Sequence, residues 1–252
     1  MRHLSLIQLL LLLLSIEVSR GQDDKLTTIT VRIDGDIEFV ISDPAGNRSG
    51  FNLFDKVNYV EINDSYGVMS IDSEDPDVEA PPSVNEFTTD EPLEGRYSLT
   101  LFGTRPTKYR LSIVMIRTLS DGGVSVFHGL IDSGQTQEYS FEYTPEVGKE
   151  YLASRLIESS SLRQDLENCY KLTLLGTKPL FIDLDHRVSK YEEYIEKDES
   201  AKARHELEKL DKKLDEVYEK TSKGNSADPN HFIKEDAYRI LKEDVKSLTE
   251  GH

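Results

Sequence analysis

The stretch IEFVISDPAGNRSGFNLFDKVNYVEINDSYGVMSI, Ile37 to Ile71, decides how this chain folds. Short apolar runs are punctuated by Asp43-Pro44-Ala45-Gly46, Ser49-Gly50 and Asn63-Asp64-Ser65-Tyr66-Gly67. Proline fixes φ, glycine supplies a positive φ, and Asp or Asn bonds its own backbone, so these clusters read as turns between strands. Working outward, Ile29, Val31 and Ile33 alternate with Thr28, Thr30 and Arg32 just before the stretch, the period of a half-buried strand. Val57 to Ile62 and Val68 to Ile71 are the next extended runs. Beyond Pro92 the alternation resumes at Tyr97, Leu99 and Leu101, at Tyr109 to Met115, at Val124 and Val126, and at Tyr139 to Tyr143. Seven to nine short strands with no helical period among them predict an antiparallel β-sandwich of the jelly-roll or immunoglobulin-like class. Between them, Asp72 to Pro92 collects acids, prolines and small polar residues and is expected to be a long exposed loop.

At Thr144-Pro145-Glu146-Val147-Gly148 the period changes. Tyr151, Leu152, Leu156, Leu162 and Leu166 predict a first, imperfect helix, and Leu172 to Pro179 should break it. Leu184, Val188, Tyr191 and Ile195 form one apolar stripe, with Asp183 as its expected N-cap. Ala203, Leu207, Leu210, Leu214 and Val217 form a second, with Ser200 as N-cap. Ile233, Ala237, Ile240, Leu241 and Leu248 mark a last helix. The expected division is therefore residues 22–147 as the β domain, 148–180 as a connecting helix and loop, and 181–252 as a three-helix bundle.

Ahead of all this, an apolar run from Leu4 to Ile16 is followed by Ser19-Arg20-Gly21, small residues where a signal peptidase reads. Residues 1–21 thus read as a secretory signal, too short in its apolar part for the ~18 residues of a membrane span. A secreted or periplasmic location follows, with no span after signal removal. Cys169 is the single cysteine, so an exported fold must hold without an intramolecular disulfide, and the thiol is expected to be a buried apolar group. With 47 acidic against 30 basic side chains the net charge is -17, which repels phosphate backbones and argues against nucleic acid as a partner.

The run from SDPAGNRSGF through VNYVEINDSYG to PLEGRYSLTLFGTRPTKYRLSI and GLIDSGQTQEYSFEY, about Thr28 to Tyr143, resembles the bacterial secreted β-sandwich modules akin to the pre-peptidase C-terminal domain. The helical part from about Leu184 to Leu248, with YIEKDESAKARHELEKL and FIKEDAYRILKEDVKSL, resembles the FIMAH domain, a small helical module of exported bacterial proteins. The first resemblance implies a non-catalytic appendage with a binding or spacing role.

No residue pattern demands a reaction. The histidines after the signal are scattered, without the i, i+4 pairing or cysteine partners of a zinc site. Ser49 misses the spacing of a nucleophile elbow, and no glycine-rich phosphate loop precedes a helix. Asp72, Glu74, Asp75, Asp77 and Glu79 offer several hard oxygens within a few residues, a candidate calcium site that no EF-hand order enforces; otherwise no cofactor is expected. Tyr59, Tyr66 and Phe87 lie near turns and are the candidate ligand-binding aromatics, since the chain has 12 tyrosines and 9 phenylalanines but no tryptophan to stack on a sugar. The expectation is an exported, non-catalytic binding or adaptor protein whose partner is an extracellular glycan or an envelope protein. A structural role in which the helices dock to another envelope protein, and an unrecognised hydrolase, stand as alternatives.

Overall fold

A computed structural model of the chain describes residues 27–68, 84–223 and 231–250. The expected signal, residues 1–21, and the acidic cluster Asp72, Glu74, Asp75, Asp77 and Glu79 lie outside the described residues.

Among the described residues eleven strands form two antiparallel sheets, and four helices follow. The strands are β1 (Thr28–Asp34), β2 (Ile37–Ser42), β3 (Arg48–Asn52), β4 (Val57–Val60), β5 (Ser65–Val68), β6 (Val84–Asp90), β7 (Gly95–Gly103), β8 (Thr107–Thr118), β9 (Asp121–Ile131), β10 (Thr136–Tyr143) and β11 (Leu152–Arg155). One sheet runs β5-β6-β1-β8-β9 and the other β11-β10-β7-β2-β3-β4. The alternation read from the sequence sends Ile29, Val31 and Ile33 of the first sheet, and Phe39, Ile41, Leu99, Leu101, Tyr139 and Phe141 of the second, into one shared core. Within it Tyr97 stacks on Phe141 at 5.1 Å between ring centroids, and burial lifts the Tyr97 phenol to about 12. Among the described residues no helix is long and apolar enough to cross a membrane.

The helices are α1 (Ser159–Lys171), α2 (Lys178–Glu196), α3 (Ser200–Ser222) and α4 (Glu235–Glu250). Their apolar stripes meet in a second core, in which Leu184, Val188, Leu207, Leu214, Ala237 and Leu241 are buried as their spacing predicted. Cys169 is buried there too, and burial pushes its thiol well up. Leu130, from the end of β9, belongs to this second core and ties sheet to helices.

Three expectations are corrected. Part of the expected loop Asp72 to Pro92 is strand β6, which pairs with β1 over seven residues. Its polar character hid it, but each polar group finds a partner: Thr88 Oγ1 lies 3.2 Å from Thr30 Oγ1, and Asn85 Nδ2 donates to the Ile37 carbonyl at 2.5 Å. Leu152 to Arg155, expected in a helix, extends the second sheet beside β10. The helix expected in the connecting segment is α1, and its Leu162, Leu166 and Cys169 share the core of the other three helices. Finally, α2 begins at Lys178 with Thr177 as N-cap and Pro179 in its first turn, ahead of the expected cap Asp183, while Glu199 rather than Ser200 caps α3. Proline there opens a helix because the first turn needs no amide hydrogen.

Sheet and helices meet in a buried polar seam. Arg155 Nη1 of β11 reaches Asp165 of α1 at 2.6 Å and Asp244 of α4 at 3.2 Å, all three side chains less than a tenth exposed. Gln137 Nε2 donates to Asp165 at 3.2 Å and to the Leu130 carbonyl at 2.7 Å, and its Oε1 accepts from Tyr109.

Candidate functional site

The stretch Ile37 to Val68 builds a mouth between the two sheets. Asp43 is buried in the first turn; its carboxylate accepts from the amides of Ala45 and Asn47 at 2.9 and 2.8 Å and from Asn47 Nδ2 at 2.8 Å, which sets β3 beside β2. Gly50 has φ +112°, and a Cβ there would lie 2.2 Å from the Phe39 carbonyl oxygen, so only glycine lets β3 approach this closely. The Asn52 side chain then accepts from the amides of Phe54 and Asp55 at 3.0 and 3.1 Å, turning the chain into β4. After β4 the chain crosses to the other sheet, held by Ile62 N donating to Ser49 Oγ at 3.4 Å and Ser65 Oγ donating to the Ile62 carbonyl at 2.7 Å.

The result places β4 at the edge of one sheet and β5 at the edge of the other, flanking a cleft of about 220 Å³. Register assigns the faces. Val60 stands opposite Ser49, which stands opposite the core residue Ile41, so Val60 holds an inward-facing position. It is nonetheless 77% exposed. On the facing edge the inward position is Gly67, opposite the core residue Phe87, and it has no side chain with which to cover Val60. Among the described residues no side chain of the facing edge strand fills this end of the core. Tyr66, also in the lining, adds exposed surface.

Glu38 and Glu86 also line the cleft, but each is next to an inward-facing core residue, Phe39 and Phe87, so both carboxylates belong to outer faces. Burial raises the Glu38 carboxyl above its ordinary range, and among the described residues no cation lies within ion-pair distance of it. Glu86 has only Arg32, at 3.9 Å. Ser49 Oγ is occupied as an acceptor, and the lining includes no histidine, lysine or cysteine that could act as its base. The arrangement offers a groove with apolar walls and strand edges that are unpaired among the described residues.

All three aromatic residues singled out from the sequence line this cleft, yet they do not converge as a stacking platform. Phe87, expected near a turn, is a core residue at 3% exposure, because β6 lies inside its sheet and not in a loop. Tyr59 stands opposite Gly50 on the outer face, where the Arg48 guanidinium covers its ring at 3.9 Å and is itself held by Glu61 at 3.4 Å. Tyr66, 56% exposed, stands opposite Thr88 on the outer face of the other sheet. Val60, Gly67, Glu38 and Glu86 were not singled out by the sequence; a valine next to a turn and a lone glutamate in a strand carry no signal until the strand order is known. Among the described residues no three His, Cys, Asp or Glu side chains gather to hold a metal ion. No protein-family model, curated protein or solved structure matches the chain.

Proposed function

We propose that this is an exported, non-catalytic binding protein that grips an extended segment of a partner protein in the mouth between β4 and β5. In this reading the two sheets form a β-sandwich of the jelly-roll or immunoglobulin-like class, akin to the pre-peptidase C-terminal modules, and the helices form a FIMAH-like bundle behind it. The carrying observation is Val60, an inward-facing valine left 77% exposed between two edge strands. An added strand would supply the missing backbone partner of an edge and cover that side chain in the same step. The net charge of -17 favours a segment bearing lysine or arginine. A glycan is the weaker occupant, since Arg48 already covers one face of Tyr59.

The test is selection of linear peptides on the mature protein, with a glycan array in parallel. Enrichment of extended sequences alternating apolar and basic residues is expected. Their binding should be lost in Gly67→Val, which fills the mouth where a Cβ meets nothing closer than 3.4 Å. Absence of selected peptides, or peptide binding indifferent to Gly67→Val, refutes the reading, as does glycan binding that depends on Tyr59 and Tyr66.

A further inference from the structure

A second cleft, of about 350 Å³, opens where β8 and β9 meet α4. Leu130 and Ile240, both buried, give it an apolar wall, and Lys108, Arg110, His128 and Arg239 stand around it. Four basic side chains around one cleft stand out on a chain of net charge -17.

The carboxylates of this cleft are already engaged. Asp236 of α4 takes Lys108 at 2.5 Å and Arg239 at 3.5 Å, Asp34 of β1 takes Arg32 at 3.1 Å, and Asp36 pairs with Arg105. Arg110 and His128 differ: among the described residues neither has a carboxylate within ion-pair distance. They are also direct cross-strand partners on the face that carries Leu130. Side chains at such positions sit ~5 Å apart, and like charges placed there repel. The strain registers at His128, where burial and then the Arg239 and Arg110 guanidiniums lower the readiness to protonate, against a smaller opposing pull from Asp236.

A juxtaposition of this kind is relieved by an anion. We infer that the cleft binds a small organic anion, its phosphate or carboxylate held by Arg110, His128 and Arg239 and its apolar body laid on Leu130 and Ile240. The volume suits a ligand of that class. Charge-assisted hydrogen bonds from guanidinium and imidazolium supply the recognition, and the wall sets a preference for an anion with an apolar body over a bare one. Because a bound anion favours the imidazolium, affinity rises as pH falls through the His128 ionisation. Asp34 and Asp36 from β1 and its turn, Lys108 and Arg110 from β8, and Asp236 and Arg239 from α4 are the charged groups that face it.

The experiment is a titration of the full mature chain with phenyl phosphate, benzoate and inorganic phosphate, read from the His128 imidazole resonances and by calorimetry. Saturable shifts at His128 are expected, with phenyl phosphate and benzoate binding more tightly than inorganic phosphate. Arg110→Gln, an exposed position, should weaken binding roughly tenfold or more, the loss expected for one charge-assisted bond. Arg96→Gln, exposed on the other sheet, should leave binding unchanged, and His128→Gln should flatten its pH dependence. No saturable shift at millimolar concentrations, or equal affinity in Arg110→Gln and the parent, overturns the proposal.

Discussion

Replacing Arg155 by methionine removes the one cation from the seam where β11 meets α1 and α4. In the parent, Arg155 Nη1 bonds Asp165 at 2.6 Å and Asp244 at 3.2 Å, with the three side chains 7%, 0% and 1% exposed. Methionine fills much of the same volume, so the loss is electrostatic rather than a cavity. It leaves two buried carboxyl groups, of which Asp165 keeps the Gln137 amide as donor at 3.2 Å and a hydrogen bond with the Asp244 carboxyl. Removing one partner of a buried ion pair costs about 3–5 kcal/mol, because the other charge keeps its desolvation penalty and loses its compensation. For a chain of this size each kcal/mol moves the melting midpoint by roughly 2–4 °C, so a fall of roughly 6–20 °C is expected. The assay is denaturation followed by circular dichroism and by tyrosine fluorescence, the latter usable because the chain has no tryptophan. The triple replacement Arg155→Met, Asp165→Leu, Asp244→Leu should recover most of the loss, since removing a whole buried ionic group is neutral or stabilising. An Arg155→Met protein within about 1 kcal/mol of the parent would refute the reasoning, since the loss is set at three times that or more.

The same seam predicts a pH dependence. Burial and then the Asp165 charge push the Asp244 carboxyl well up against the pull of Arg155, so the folded state holds a proton that the unfolded state has released. Stability from this group is present at low pH and falls as pH rises from the unfolded carboxyl pKa of 3.8 toward the higher folded one, where more protons are bound by the native state. Asp244→Asn should remove that falling component, and melts of both proteins across acid and neutral pH give the difference; a parent whose stability rises relative to Asp244→Asn over that window has the opposite sign. At the mouth, Gly50→Ala forces a Cβ against the Phe39 carbonyl at φ +112°, and the backbone conformation alone costs about 1–3 kcal/mol. Urea titration should show a loss at least that large, and a parent-like midpoint would mean that β3 is free to move off β2.

Much of the architecture is written in local patterns. A period of two at Ile29 to Ile33 and Tyr109 to Met115, turn chemistry at Asp43 to Gly46, and stripes at Leu184 to Tyr191 and Ala203 to Val217 each arise from neighbours a few residues apart, and the burial follows them. What tertiary structure decided lies where the partner of a residue is far along the chain. Strand β6 looked like loop because the groups that satisfy Asn85 and Thr88 are at Ile37 and Thr30, nearly fifty and nearly sixty positions away. Nothing local in the sequence marks Asp165 or Asp244, which acquire a role when folding brings Arg155 between them. Val60 and Gly67 become a site only because strand order sets two edges face to face, and Arg110 and His128 become one because β8 and β9 pair in that register. The sequence by itself determined which segments bury a face, since that depends on local spacing; which faces and charges were left without a partner depended on long-range pairing, and so only the tertiary structure could decide it.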